Sequence, residues 1–164
     1  MKTLFIGGIK SGKSFLAEKY ALKNSSSKPI YLATTEFIDS EMSERILKHK
    51  EQRSNRFTTL EEPLHLTQTI TNCEGTVLVE CVSMWINNML YHEKNYVDIQ
   101  AEIESLLKLD ANIVFVLNDV GSGIIPDNKL AREFVDISGK ISQLIAKNCD
   151  EVFHVIAGIG TKIK

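Results

Sequence analysis

The sequence predicts an α/β fold, a doubly wound, mostly parallel sheet flanked by helices, and three observations carry that expectation. Five short apolar runs, TLFIG (3–7), PIYLA (29–33), TVLVECV (76–82), NIVFVL (112–117) and EVFHVI (151–156), read as strands covered on both faces, because they lack the apolar/polar alternation of a sheet with one wet side. Segments with helical periodicity lie between them, giving the βαβα order of a parallel sheet. A glycine-rich stretch at 7–14 joins the first run to the first helical segment, at the strand end where such sheets bind ligands.

Taken in order, the first strand leads into a helix over 13–23, and Ser25-Ser26-Ser27 form the loop into the strand at 29–33. A helix follows over 40–54. Asp39 or Ser40 can cap it, and Glu41 and Glu44 suit the positive end of its dipole. Further helices are predicted over 63–71, 83–92, 97–109 and 127–148, alternating with the strands at 76–82, 112–117 and 151–156. Met84, Trp85, Met89 and Leu90 fall at helical spacing and read as core rather than as a cofactor platform. His65, His92 and His154 read as structural. With 164 residues, no internal repeat and no low-complexity tract, the expectation is one domain spanning 1–164.

Composition excludes several classes of function. At 43% hydrophobic and 24% charged residues the chain is globular rather than disordered. A formal net charge of −2 supplies no long-range attraction for nucleic acid or an anionic membrane, so a phosphate site must be built locally. Cys73, Cys81 and Cys149 are odd in number and lack C-x-x-C spacing, which points to reduced, buried thiols in a cytoplasmic protein. No basic segment precedes a long apolar one, and no stretch reaches 18 apolar residues, so neither export nor a membrane span is expected.

Gly7, Gly8, Ile9, Lys10, Ser11, Gly12, Lys13 and Ser14 fit G-x-x-x-x-G-K-[ST] between a strand and a helix, the context this phosphate-loop pattern requires. The glycines let backbone N–H groups turn inward, Lys13 meets the β and γ phosphates, and Ser14 can ligate Mg2+. The fold expectation thereby narrows to a P-loop NTPase-like sheet binding a nucleoside triphosphate. The alternative for the same residues is a glycine-rich turn with an exposed lysine. Glu80, closing the run TVLVE, is the candidate for the second acid that holds Mg2+, against a plain solvent-facing carboxylate. An N-K-x-D guanine motif is not matched by Leu117-Asn118-Asp119-Val120, which disfavours a Ras-like switch.

On the helix predicted over 40–54, Arg45, His49 and Arg53 fall at i, i+4 and i+8 along one stripe. Two flanking guanidinium groups disfavour an imidazolium, leaving a neutral nitrogen able to attack phosphorus while Lys50 and Arg53 neutralise the triphosphate. From spacing alone, the alternative is a solvated basic helix face with an incidental histidine.

Together these pieces resemble the bifunctional adenosylcobinamide kinase and adenosylcobinamide-phosphate guanylyltransferase family of cobalamin biosynthesis. The resemblance rests on GGIKSGKS (7–14), YLATTEFIDSEMSERILKHKEQR (31–53), LVECVSMWINNML (78–90), LNDVGSGIIPDNKLAREFVDISGKISQLIA (117–146) and GIGTKIK (158–164). It implies a two-step enzyme that phosphorylates adenosylcobinamide with ATP or GTP, then transfers GMP from GTP through a guanylylated histidine, at the position of His49. It implies that Ala33, Thr34, Thr35, Lys50, Glu51, Gln52 and Arg53 contact GTP, and that Glu61 accepts from guanine N1–H and N2–H. It supports the Mg2+ role of Glu80, assigns the loop Asn118–Gly123 to the corrinoid or phosphate side, and implies a homotrimer. Ser54, Phe57, Asp119 and Ser142 depart from the family pattern, which bears on substrate fit rather than reaction type. Two readings stand beside this one: a P-loop small-molecule kinase without guanylyl transfer, and a nucleotide-dependent regulatory module.

Overall fold

The strands form where β-branched and aromatic residues can be buried on both sides at once. The computed structural model describes residues 1–36 and 55–164. Its strands are β1 (Lys2–Gly7), β2 (Ile30–Ala33), β3 (Thr58–Glu61), β4 (Thr76–Glu80), β5 (Asn112–Asn118), β6 (Glu151–Ile156) and β7 (Ile159–Lys162). They join one sheet in the order β3-β2-β4-β5-β1-β6-β7, parallel except for the antiparallel edge strand β7. The helices are α1 (Lys13–Lys23), α2 (Leu66–Thr71), α3 (Val82–Tyr91), α4 (Tyr96–Lys108) and α5 (Lys129–Asn148). Among the described residues no helix is long and apolar enough to cross a membrane. The helix expected over 40–54 lies outside the described residues.

Consecutive strand residues feed opposite cores, which is why the runs read as continuously apolar. Leu4, Val77, Val79, Ile113 and Phe115 pack on one face under Trp85, Ile86, Ile103 and Ile141 from α3, α4 and α5. Phe5, Leu78, Val114 and Val116 pack on the other, against Ala17 and Ala21 of α1. Trp85 is fully buried, as the helical spacing predicts. Phe57, one of the departures from the family pattern, is also buried and meets Tyr31 edge-on at a centroid distance of 5.9 Å.

The helix ends follow local chemistry. Asn95 caps α4 through a reciprocal box: its side chain accepts from the Val97 and Asp98 N–H groups, and Asp98 accepts from the Asn95 N–H. Glu62 Oε1 accepts from the Leu64 and His65 N–H groups, both at 2.8 Å, just before α2. Burial pushes the Glu62 carboxyl up, but the His65 and Leu64 N–H groups, together with the neighbouring His65 ring and Thr69 hydroxyl, outweigh it and hold it below the usual range.

Two strands are not anticipated by the sequence patterns. β3 has only four residues, of which three are exposed, and β7 is exposed throughout, so neither carries an apolar run. β7 is created by the turn at Ala157 (φ 50°) and Gly158 (φ 81°), which returns the chain antiparallel to β6. The strand expected over 76–82 stops at Glu80, because Val82 already begins α3.

At the opposite, amino-terminal end of β6, Glu151 accepts from Lys162 Nζ at 2.6 Å and from the Tyr20 hydroxyl, which in turn accepts from Thr3 Oγ1. The Lys162 ammonium first, then the Tyr20 hydroxyl, hold the Glu151 carboxyl below the ordinary glutamate range. A depressed carboxyl contributes stability above its unfolded pKa and loses it as pH falls through the folded value. Glu151→Gln is therefore expected to lower stability at pH 7 by under about 1 kcal/mol, since solvent screens this partly exposed pair. That difference should shrink towards zero as pH falls below about 4 in parallel denaturant titrations.

Candidate active site

The phosphate loop leaves the carboxyl end of β1 in the middle of the sheet and turns directly into α1. Lys10 (φ 58°) and Gly12 (φ 92°) both take the left-handed conformation, which folds the loop back over the strand end. A side chain at Gly7 would place its Cβ 2.3 Å from Val155 O and 2.8 Å from Ser11 Oγ, and one at Gly12 would lie 3.1 Å from Gly158 Cα. The loop is pinned on both flanks. Asp119 N–H donates to Gly7 O at 2.9 Å, and Gly158 N–H donates to Ser11 O at 2.7 Å. Gly12 brings no capping side chain to α1, so the first-turn N–H groups point at an anion-binding position.

Lys13 is buried, with its ammonium folded over the loop and donating to Gly8 O at 3.1 Å. Ser14 Oγ donates to Glu80 Oε1 at 2.8 Å across 66 residues of sequence. The hydroxyl and the carboxylate oxygens are hard donors of the kind that Mg2+ prefers. Among the described residues no group of three or more His, Cys, Asp or Glu could hold a metal on its own.

The other predicted positions follow the sheet register. Ala33 pairs with Glu61 on one side and with Glu80 on the other, so three adjacent strands end together along one edge. Thr34 is fully buried, and its hydroxyl donates to Cys81 O at 2.9 Å while accepting from Cys81 N–H at 3.0 Å. Thr35 is half-buried, Glu61 is exposed, and Ile9 stands out from the loop at 80% exposure. His49, Lys50, Glu51, Gln52 and Arg53, with Ser54, lie outside the described residues. Asp119 is turned onto its own loop, accepting from Gly121 N–H and Ser122 Oγ. Burial first, then the neighbouring Glu80 carboxylate, push the Cys81 thiol above its ordinary range, which keeps it protonated beside the site.

Three contributors escape sequence reasoning. Ser83 Oγ accepts from Asn118 N–H at 2.9 Å, Gly158 holds the loop, and the fully buried Asn88 joins the ends of β2 and β3. The available signal was an asparagine set among apolar residues in α3.

Residues 3–163 match the family described as cobinamide kinase / cobinamide phosphate guanyltransferase. The chain belongs to that family. It is 39% identical to the bifunctional adenosylcobalamin biosynthesis protein CobU of Escherichia coli K12, with all of both chains covered. It is 37% identical to the protein of the same name from Salmonella typhimurium LT2, again with all of both chains covered. Identity is 35% to the CobP counterpart of Pseudomonas aeruginosa PAO1, over all of this chain and 98% of that one. The flagellar accessory protein FlaH of Methanocaldococcus jannaschii superposes with a TM-score of 0.50 at 12% identity, covering 98% of this chain and 75% of that one. The KaiC-like protein PH0186 of Pyrococcus horikoshii OT3 also gives 0.50 at 13% identity, covering 93% and 69%. These distant likenesses bear on the fold alone.

The glycine geometry makes a paired prediction. Gly7→Ala should cost about 1–3 kcal/mol through the clash with the β6 backbone. Gly8→Ala, whose added Cβ meets nothing within 4 Å, should stay within about 0.5 kcal/mol of the parent. Thermal melts of the two variants check it.

Proposed function

We propose that this chain is a bifunctional enzyme of cobalamin biosynthesis that phosphorylates adenosylcobinamide and then guanylylates the product. The observation that carries the reading is the Ser14–Glu80 contact at 2.8 Å beneath a formed phosphate loop, in a chain whose family is described by both reactions.

In the first reaction the aminopropanol hydroxyl oxygen of adenosylcobinamide attacks the γ phosphorus of ATP or GTP. The O–P bond forms as the bond to the β-phosphate oxygen breaks, the hydroxyl proton departs, and nucleoside diphosphate leaves. Loop N–H groups and Lys13 hold the phosphates and offset charge as it moves to the leaving oxygen. Ser14 and Glu80 would hold Mg2+, which would supply positive charge to offset the phosphates of a bound nucleotide.

In the second reaction a neutral His49 nitrogen attacks the α phosphorus of GTP, and the bond to the β-phosphate breaks to release pyrophosphate. A phosphate oxygen of the first product then displaces the histidine, giving adenosyl-GDP-cobinamide and restoring the ring. Ala33, Thr34, Thr35, Lys50, Glu51, Gln52 and Arg53 are taken as the nucleotide-contacting set. Glu61 serves as the acceptor for guanine N1–H and N2–H, a paired donor that adenine lacks. Its place one strand from Ala33, in register with Glu80 beyond, supports a nucleotide lying along the carboxyl edge of the sheet. The enzyme is further taken to be a cytoplasmic homotrimer of single-domain subunits.

Incubation with Mg2+ and GTP labelled at the α phosphorus should give a covalent, acid-labile GMP adduct on the wild-type protein. The adduct should be lost in His49→Ala, while phosphorylation of adenosylcobinamide, followed by mass, persists. A wild-type protein that phosphorylates the corrinoid without ever carrying the adduct would instead be a kinase alone.

A further inference from the structure

Asn88 sits in the middle of α3 with no exposed surface, and neither proposed reaction uses it. Its amide nitrogen donates to Thr34 O at 2.6 Å and to Pro63 O at 3.2 Å. Those two carbonyls belong to the segments leaving β2 and β3, directly after Ala33 and two residues after Glu61. Both amide protons are thus spent on backbone acceptors from different strands. Among neutral side chains of this size only asparagine brings two such donors.

The neighbouring contacts extend the clamp. Trp85, three residues earlier on the same helix, donates through Nε1–H to Leu64 O at 2.9 Å, a second hold on the segment after Glu61. Thr34 in turn grips Cys81 through both its N–H and its carbonyl, immediately after Glu80. The chain enters α3 at Val82, two residues beyond Glu80. One helix therefore fixes the ends of the strands that bear both acids.

Stability alone does not explain an amide here. Asn88 Oδ1 is buried with no hydrogen-bond partner among the described residues, a desolvation that an apolar residue of similar volume would avoid. What the amide supplies is geometry: beyond the backbone pairing of β2 and β3, where Glu62 N–H donates to Ala33 O at 3.0 Å, it ties the two departing segments to α3.

We infer that Asn88 is a positioning residue that sets the placement of Glu61 relative to Glu80, and through it the preference for guanine over adenine nucleotides. The inference rests on the proposed role of Glu61 as the base acceptor. Asn88 touches neither nucleotide nor substrate; it acts through the two carbonyls it holds.

The test measures Kd for GTP and for ATP, each with Mg2+, on the full chain. Asn88→Asp keeps the side-chain shape but sets a carboxylate against two carbonyls, and should reduce the GTP-to-ATP preference about tenfold while changing ATP affinity about twofold or less. Glu61→Gln is the benchmark and should reduce the same ratio. Should Asn88→Asp fail to fold by circular dichroism, Trp85→Phe removes only the Leu64 bond and should shift the ratio the same way, by about threefold. Equal weakening of GTP and ATP in the folded variants overturns the inference while leaving the reading of Glu61 intact. An unchanged ratio in Glu61→Gln overturns that reading, and with it the route by which Asn88 would act.

Discussion

The site depends on one steric constraint, the absence of side chains at Gly7 and Gly12. Gly7 ends β1, an interior strand, so close to the β6 backbone that a Cβ would lie 2.3 Å from Val155 O, and a Cβ at Gly12 would lie 3.1 Å from Gly158 Cα. Close approach lets neighbouring backbone, rather than mobile side chains, hold the phosphate loop: Asp119 N–H bonds to Gly7 O and Gly158 N–H to Ser11 O. A loop fixed from both flanks presents its N–H groups to an anion with little further ordering to be done on binding.

From that fixed centre a line of hydrogen bonds runs along the carboxyl edge of the sheet. Ser14 reaches Glu80, Ser83 holds Asn118, Thr34 grips Cys81, and Asn88 joins Thr34 to Pro63. Thr34, Ser83 and Asn88 are buried, where an unmade bond is expensive, so these three hold the edge together. The family is described by two reactions, a kinase step and a guanyltransferase step, and each consumes its own nucleotide.

Much of this was legible in the chain itself. The five apolar runs became β1, β2, β4, β5 and β6, and the glycine-rich pattern became the phosphate loop at the end of the first, because both signals are local. β3 and β7 were not legible: TTLE and IGTK have too few apolar residues to be strands by their own preference, and pair only because a neighbouring edge offers unpaired backbone groups. The role of His49 was read from helix spacing and from resemblance, and its segment lies outside the described residues.

The sequence by itself determined the phosphate loop, the alternation of buried strands and helices, and the family, since each is written in contiguous residues or in their order. Only the tertiary structure decided that Glu80 is the carboxylate that meets Ser14, that the hydroxyl of Thr34 is committed to Cys81, and that an asparagine among apolar residues ties two strand ends together. The physical reason is separation along the chain. These partners lie from 25 to 66 residues apart, and no periodicity in the sequence encodes which donor will find which acceptor until the sheet brings their strand ends side by side.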